Sequence, residues 1–344
     1  MKNRVSSIEL LRLFLAFFVI ANHVWGENDS APNLYFFTYL FPINMTHIST
    51  FAFITGFFLA NKGKPKKLFK YVTTLIFYFA FNFIVSFFVE YFYYDVTSLS
   101  TIYNFTIEAW WYAFSIIFVF ALYIFFSDKM AKLDWKVFLL ILIILLITLS
   151  VFNNYTGWQA TWLILVALFG SFSRLHLVNL MNKKWFLIVS ILVLVITTIA
   201  MDVILSLGKI EDDELLKTSL FFKENNPLAF VLPLFIFTIF YNIKIKSKFI
   251  NYISSFTLGI YLCMTIYNHL LYSLLSTYLI KLNDVELNFA LIGLTLLIFI
   301  TALVQTLIIE HLKKGIFIIC DKNYWIKKKI LIKEKEKLKK LSKH

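Results

Sequence analysis

The chain has 344 residues, of which 60% are hydrophobic and only 15% charged, and Phe alone occurs 40 times. Soluble domains of this length are nearer half apolar and a quarter charged, so too little polar surface remains to cover a globule in water; lipid is the solvent such a chain tolerates. The net charge of +13 would suggest nucleic acid on a soluble protein, but here Lys and Arg stand in short segments between apolar runs, where they report topology and meet anionic headgroups, and no nucleic-acid partner is expected.

A membrane-crossing helix needs about 20 predominantly apolar residues. Taken in order, such windows predict ten spans, over 7–25, 34–60, 70–93, 108–127, 136–152, 160–178, 184–207, 227–242, 249–280 and 287–311. The predicted fold class is therefore all-α, a polytopic bundle of about ten transmembrane helices over 1–312 followed by a basic tail over 313–344. The first run lacks a small-residue cleavage site and is expected to stay as a helix.

The connecting segments set the predicted orientation. With the N-terminus inside, the inner segments hold 28 of the 33 Lys and Arg residues. The outer ones carry Glu27, Asp29, Asp95 and the acidic run Glu211 to Glu214. That is the positive-inside pattern, and an even number of spans places both termini in the cytoplasm. The Lys-rich tail has apolar residues at near-helical spacing, which predicts a basic amphipathic helix on anionic inner-leaflet lipids.

Polar side chains within the apolar windows are few, and each is costly in lipid unless it faces protein, a partner or a watery cavity. The first helix carries Glu9, Arg12, Asn22 and His23. Arg12 and His23 are eleven residues apart, close to three turns, so they project from one face with His23 about 16 Å further along. Glu9 lies one turn before Arg12 and can pair with it. A single ligand threading the membrane could touch both Arg12 and His23, so the two are expected to share one cavity. Read alone, the Glu9–Arg12 pair fits an anchor at the cytoplasmic edge equally, and His23 fits an interfacial histidine bonded to a carbonyl. The loop Asn61 to Lys70 holds five Lys in ten residues. Lys64, Lys66, Lys67 and Lys70 could form a cytoplasmic anion site suited to phosphates, or a plain topogenic loop. Glu90, Asp202, Asn268, His269, Glu310 and His311 could line the same cavity or make interhelical contacts. Trp110, Trp111 and Trp158 stand near the predicted outer face. Cys263 and Cys320 give no metal spacing and no disulfide framework, and no metal is expected.

These segments resemble the membrane acyltransferase-three family. The resemblance begins with Ile8-Glu-Leu-Leu-Arg-Leu-Phe-Leu-Ala-Phe-Phe-Val-Ile-Ala-Asn-His23 and continues with Phe53-Ile-Thr-Gly-Phe-Phe-Leu59. It includes Lys67-x-x-Lys70, Trp110-Trp-Tyr-Ala-Phe114 and Ser255-Phe-Thr-Leu-Gly-Ile-Tyr-Leu262. Two departures stand out. Lys replaces Arg in the basic pair, exchanging bidentate contacts for point charges, and Met264 stands where the family often has His. The resemblance implies a ten-helix enzyme of the bacterial cell membrane that O-acylates surface or secreted polysaccharides. It implies acyl-CoA, acetyl-CoA first and succinyl as the variant, with its phosphates at Arg12, Lys64, Lys67 and Lys70. It implies His23 as general base or acyl carrier, supported by Arg12 and Glu9, with Trp111, Asn268 and His269 on the acceptor side. The implied partners are a polysaccharide or lipid-linked sugar acceptor and the glycan-synthesis machinery. The competing reading is a non-enzymatic exporter or flippase of lipid-linked sugar.

Overall fold

The computed structural model describes residues 5–26, 41–60, 65–89, 91, 110–151, 158–211, 227–279 and 281–320, with the backbone alone at 26, 41–45, 150–151, 158–159, 201–202, 204–211, 284 and 317–320. Lys64, Glu90, the loop 212–226 and the tail from 321 onward lie outside the described residues, as does the side chain of Asp202. The described elements are all helical: α1 (Ser6–Gly26), α2 (Phe41–Leu59), α3 (Pro65–Val89), α4 (Trp111–Met130), α5 (Trp135–Val151), α6 (Trp158–Phe172), α7 (Lys184–Glu211), α8 (Pro227–Asn242), α9 (Lys248–Ile253), α10 (Thr257–Leu279) and α11 (Asp284–Cys320).

Six stretches among the described residues are long and apolar enough to cross a membrane: Ser6–Trp25, Pro65–Val89, Trp111–Met130, Ala160–Met181, Lys248–Leu279 and Val285–Ile316. Four shorter apolar helices stand with them, Thr46–Leu59, Trp135–Leu149, Lys184–Ala200 and Pro227–Asn242. A helix that is apolar on all sides belongs in a protein core or in lipid. Here the outward faces of α3, α5, α7 and α11 display Ile76, Ile84, Leu140, Ile144, Ile196 and Ile300.

Several Thr inside these helices satisfy themselves locally. Thr73, Thr148, Thr238 and Thr295 each donate to the carbonyl four residues earlier at 2.7–2.8 Å. This removes the cost of an unpaired hydroxyl in a medium without water.

The first helix is central. In its apolar window 61% of residues are buried, against 22% in α3, and α1 packs on α2, α8, α9, α10 and α11. The closest helix pair is α2 with α6. A Cβ on Gly56 would overlap the Ala167 carbonyl, and one on Gly170 would overlap that of Phe53. Glycine is required on both sides because the two backbones touch. Ser171 Oγ donates to the Gly56 carbonyl at 2.9 Å in the same seam. Past Phe172, α6 widens into a π turn over Ser173–Leu177 before a last turn, Val178–Met181.

The start of α1 is tied to the start of α9. The Ser247 amide donates to Ser6 Oγ at 3.0 Å, and Ser247 Oγ caps α9 by accepting from Ile250 N at 3.2 Å. Between α9 and α10 the chain makes one 3-10 turn, Ser254–Phe256. That turn packs on α1, with Ser254 against Glu9.

Candidate active site

The polar residues of α1 are held by what packs on them. Glu9 is buried at 5% exposure. Its Oε1 accepts from Arg12 Nη1 at 3.1 Å and its Oε2 accepts from Ser254 Oγ at 2.6 Å. Both carboxylate oxygens are thus engaged, which is what makes a buried carboxylate tolerable. The pair fixes the guanidinium, whose carbon also lies 5.8 Å from the centre of the Phe58 ring.

Arg12 opens on a cavity of about 560 Å³. Lys67 and Lys70, one turn apart at the start of α3, line its mouth with Arg12. Both lysines are exposed. Three cations from two helices converge on one opening, a setting for a phosphate-bearing ligand. From there the cavity runs inward past Tyr71 and Thr74 of α3 and Ser255, Thr257 and Leu258 near the 3-10 turn. Val19, Thr55, Tyr112 and Tyr261 also line it. Tyr71 is oriented by donating its hydroxyl to the Ala113 carbonyl at 3.1 Å, and Tyr112 meets Tyr261 edge to face at 5.7 Å.

His23 does not line that cavity. It lines a separate recess of about 20 Å³ with Ile20, Met264, Thr265, Asn268 and His269. His23 is itself an exposed residue, whereas Asn268 is buried. The structure therefore gathers His23, Asn268 and His269, three of the predicted residues, from α1 and α10. The expected single cavity from Arg12 to His23 is not seen. Among the residues of α1 and α10 that line the large cavity, Val19 and Tyr261 are the last along each helix, one turn before His23 and Thr265. Helices α1 and α10 pack together, and Val19, Ile20, Tyr261 and Met264 on them are all buried.

Trp111 lines neither space. It is half-buried at the start of α4, edge-on to Tyr112 at 6.4 Å. Its neighbours face inward instead: Trp110 Nε1 donates to the Leu262 carbonyl at 3.2 Å, and Tyr112 reaches the cavity. Sequence reasoning also passed over Ser254, Tyr71 and Thr265. Ser254 immediately precedes the Ser255–Leu262 element, and Ser255, Thr257, Leu258 and Tyr261 within that element all line the cavity. Among the described residues no three His, Cys, Asp or Glu side chains converge as metal ligands.

The profile of the acyltransferase-3 family, described as an acyltransferase domain, matches residues 5–310. The chain belongs to the acyltransferase-3 family. No curated protein and no solved structure matched it. The matched span begins just before Glu9 and ends at Glu310, so both spaces and the helices that build them fall within the acyltransferase domain. In this membrane acyltransferase the basic cavity and the histidine recess lie on the same two helices, α1 and α10, one turn apart.

Proposed function

We propose that this acyltransferase moves an acyl group, acetyl first, from cytoplasmic acyl-CoA to a hydroxyl of a cell-surface or secreted polysaccharide or its lipid-linked precursor. In this reading the enzyme sits in the bacterial plasma membrane as ten spans with both termini inside. The observation that carries the proposal is the convergence of Arg12, Lys67 and Lys70 on one cavity that Val19, one helical turn before His23, also lines.

The donor's phosphates meet the three cations at the mouth, with Lys64 adjoining them in sequence. A phosphate-bearing ligand gains from charge-assisted contacts there, and the Glu9–Ser254 bracket pre-positions the guanidinium. The flexible thioester arm runs along the apolar and hydroxyl-bearing walls toward Tyr112 and Tyr261. For the carbonyl to reach His23, side chains at Val19, Tyr261 and Met264 must shift by about one turn's depth, about 6 Å. The acceptor hydroxyl arrives from the opposite end of the bundle. Neutral His23 takes its proton, the oxygen attacks the thioester carbonyl, the carbon–sulfur bond breaks, and the thiolate leaves and is protonated. An acyl-imidazole on His23 is the two-step version of the same transfer.

The test is ester content. His23→Ala protein that inserts normally should leave the surface glycan without the ester, read by mass spectrometry against a gene deletion. Unchanged ester ends the proposal. Glycan that is retained inside the deletion strain, rather than exported without ester, would point to transport.

A further inference from the structure

Thr265 and Thr50 are the described helical threonines whose buried hydroxyls lack a hydrogen-bond partner, and of the two Thr265 lines the His23 recess. Thr73, Thr148, Thr238 and Thr295 turn their hydroxyls back to the carbonyl one turn earlier. Thr265 sits in the middle of α10, where the same local bond is open to it, yet its Oγ1 is buried without a hydrogen-bond partner. Leaving a hydroxyl unsatisfied within a membrane bundle costs free energy. The side chain that bears it lines the His23 recess.

The size of the recess limits what can satisfy it. About 20 Å³ exceeds the ~10–15 Å³ that one water-sized group needs, and it is far below the size of drug-sized ligand pockets, about 300 Å³ and up. A sugar ring does not enter. One hydroxyl does. The walls divide the same way: Ile20 and Met264 are apolar, whereas His23, Asn268, His269 and Thr265 offer hydrogen-bonding groups.

We infer that the recess is a slot for a single acceptor hydroxyl, and that Thr265 is the positioning residue that orients it toward His23. This rests on the acyl-transfer reading above. The entering hydroxyl gives its proton to His23. Thr265 Oγ1 donates to one lone pair of the same oxygen, leaving the other aimed at the thioester carbonyl. The ring that carries the hydroxyl stays outside, against the exposed side of His23. The acceptor class is therefore a glycan with a projecting hydroxyl, recognised here through one oxygen and not through its ring.

The experiment compares Thr265→Val, which keeps the shape and removes the hydroxyl, with Thr265→Ser, which keeps the hydroxyl. Each is expressed in the gene-deletion strain and read by glycan ester content and by CoA binding to the detergent-solubilised protein. The valine variant should lose ester at least about tenfold and bind CoA as the parent does, while the serine variant stays within about threefold of the parent. Should the valine variant insert poorly, Thr265→Ala and Thr265→Ser are compared at matched membrane levels, and the same loss and rescue are expected. Ester content insensitive to the hydroxyl, with His23→Ala still inactive, means the recess holds only water and overturns this inference alone. Full ester in His23→Ala overturns the acyl-transfer reading and this inference with it.

Discussion

The Glu9 carboxylate accepts the Arg12 guanidinium at 3.1 Å from a position buried at 5% exposure. Its second oxygen takes the Ser254 hydroxyl, so the cation at the cavity mouth is aimed by a residue that does not line the cavity. Glu9→Gln should leave the guanidinium neutral-partnered and mobile. The KM for acyl-CoA should rise about tenfold with a small change in kcat, equivalent to about 1.4 kcal/mol of donor binding. Ser254→Ala should move the same parameter by less. Steady-state kinetics on protein in nanodiscs measures both.

Lys67 and Lys70 act as exposed point charges in this reading, so their contribution should be screened by salt. Replacing either with Gln should weaken CoA binding about fivefold at low ionic strength and flatten its salt dependence. Lys70→Arg should tighten binding, because a guanidinium offers a phosphate two parallel donors where an ammonium offers a point charge. Binding isotherms at two salt concentrations decide it; an unchanged salt slope in the double Gln variant would place the phosphates elsewhere.

Val19 lines the large cavity one turn before His23. Val19→Phe should thicken the wall between the two spaces without touching the cations. The expected result is CoA affinity within about twofold of the parent and acyl transfer reduced at least about tenfold, a loss in kcat alone. Equal losses in binding and turnover would show that the arm does not approach this wall.

Gly56 meets the Ala167 carbonyl so closely that a Cβ cannot be placed there without moving the backbone. Gly56→Ala should separate α2 from α6 and destabilise the fold by about 1–3 kcal/mol. Thermal unfolding in detergent reads the effect, and Gly293→Ala, which meets open space, serves as the control with no loss expected.

Proton abstraction requires neutral imidazole, so transfer should be lost as pH falls through the histidine range and retained above it. In the limiting acid region the rate should fall about tenfold per pH unit if one proton blocks the base. A profile that stays flat down to the pH at which the protein unfolds would remove His23 from the base role.

Local chemistry made much of this protein legible before any coordinates. Apolar windows and the sparse charges placed the helices, and helical period put Arg12 and His23 on one face of α1 with Glu9 beside the arginine. Those facts depend on residues three to eleven apart on one helix, where geometry is fixed by the 3.6-residue turn. What the tertiary structure decided concerns helices far apart in the chain. Ser254 reaches Glu9 because the 3-10 turn between α9 and α10 packs on α1. Tyr112, not Trp111, faces the cavity because of how α4 is rotated, and Asn268 and His269 meet His23 because α10 packs on α1. Arg12 and His23, on one face of α1, line different spaces. Rotation and depth of one helix against another are set by close contacts such as Gly56 on Ala167, and a sequence pattern with one period carries no record of which partner fills its groove.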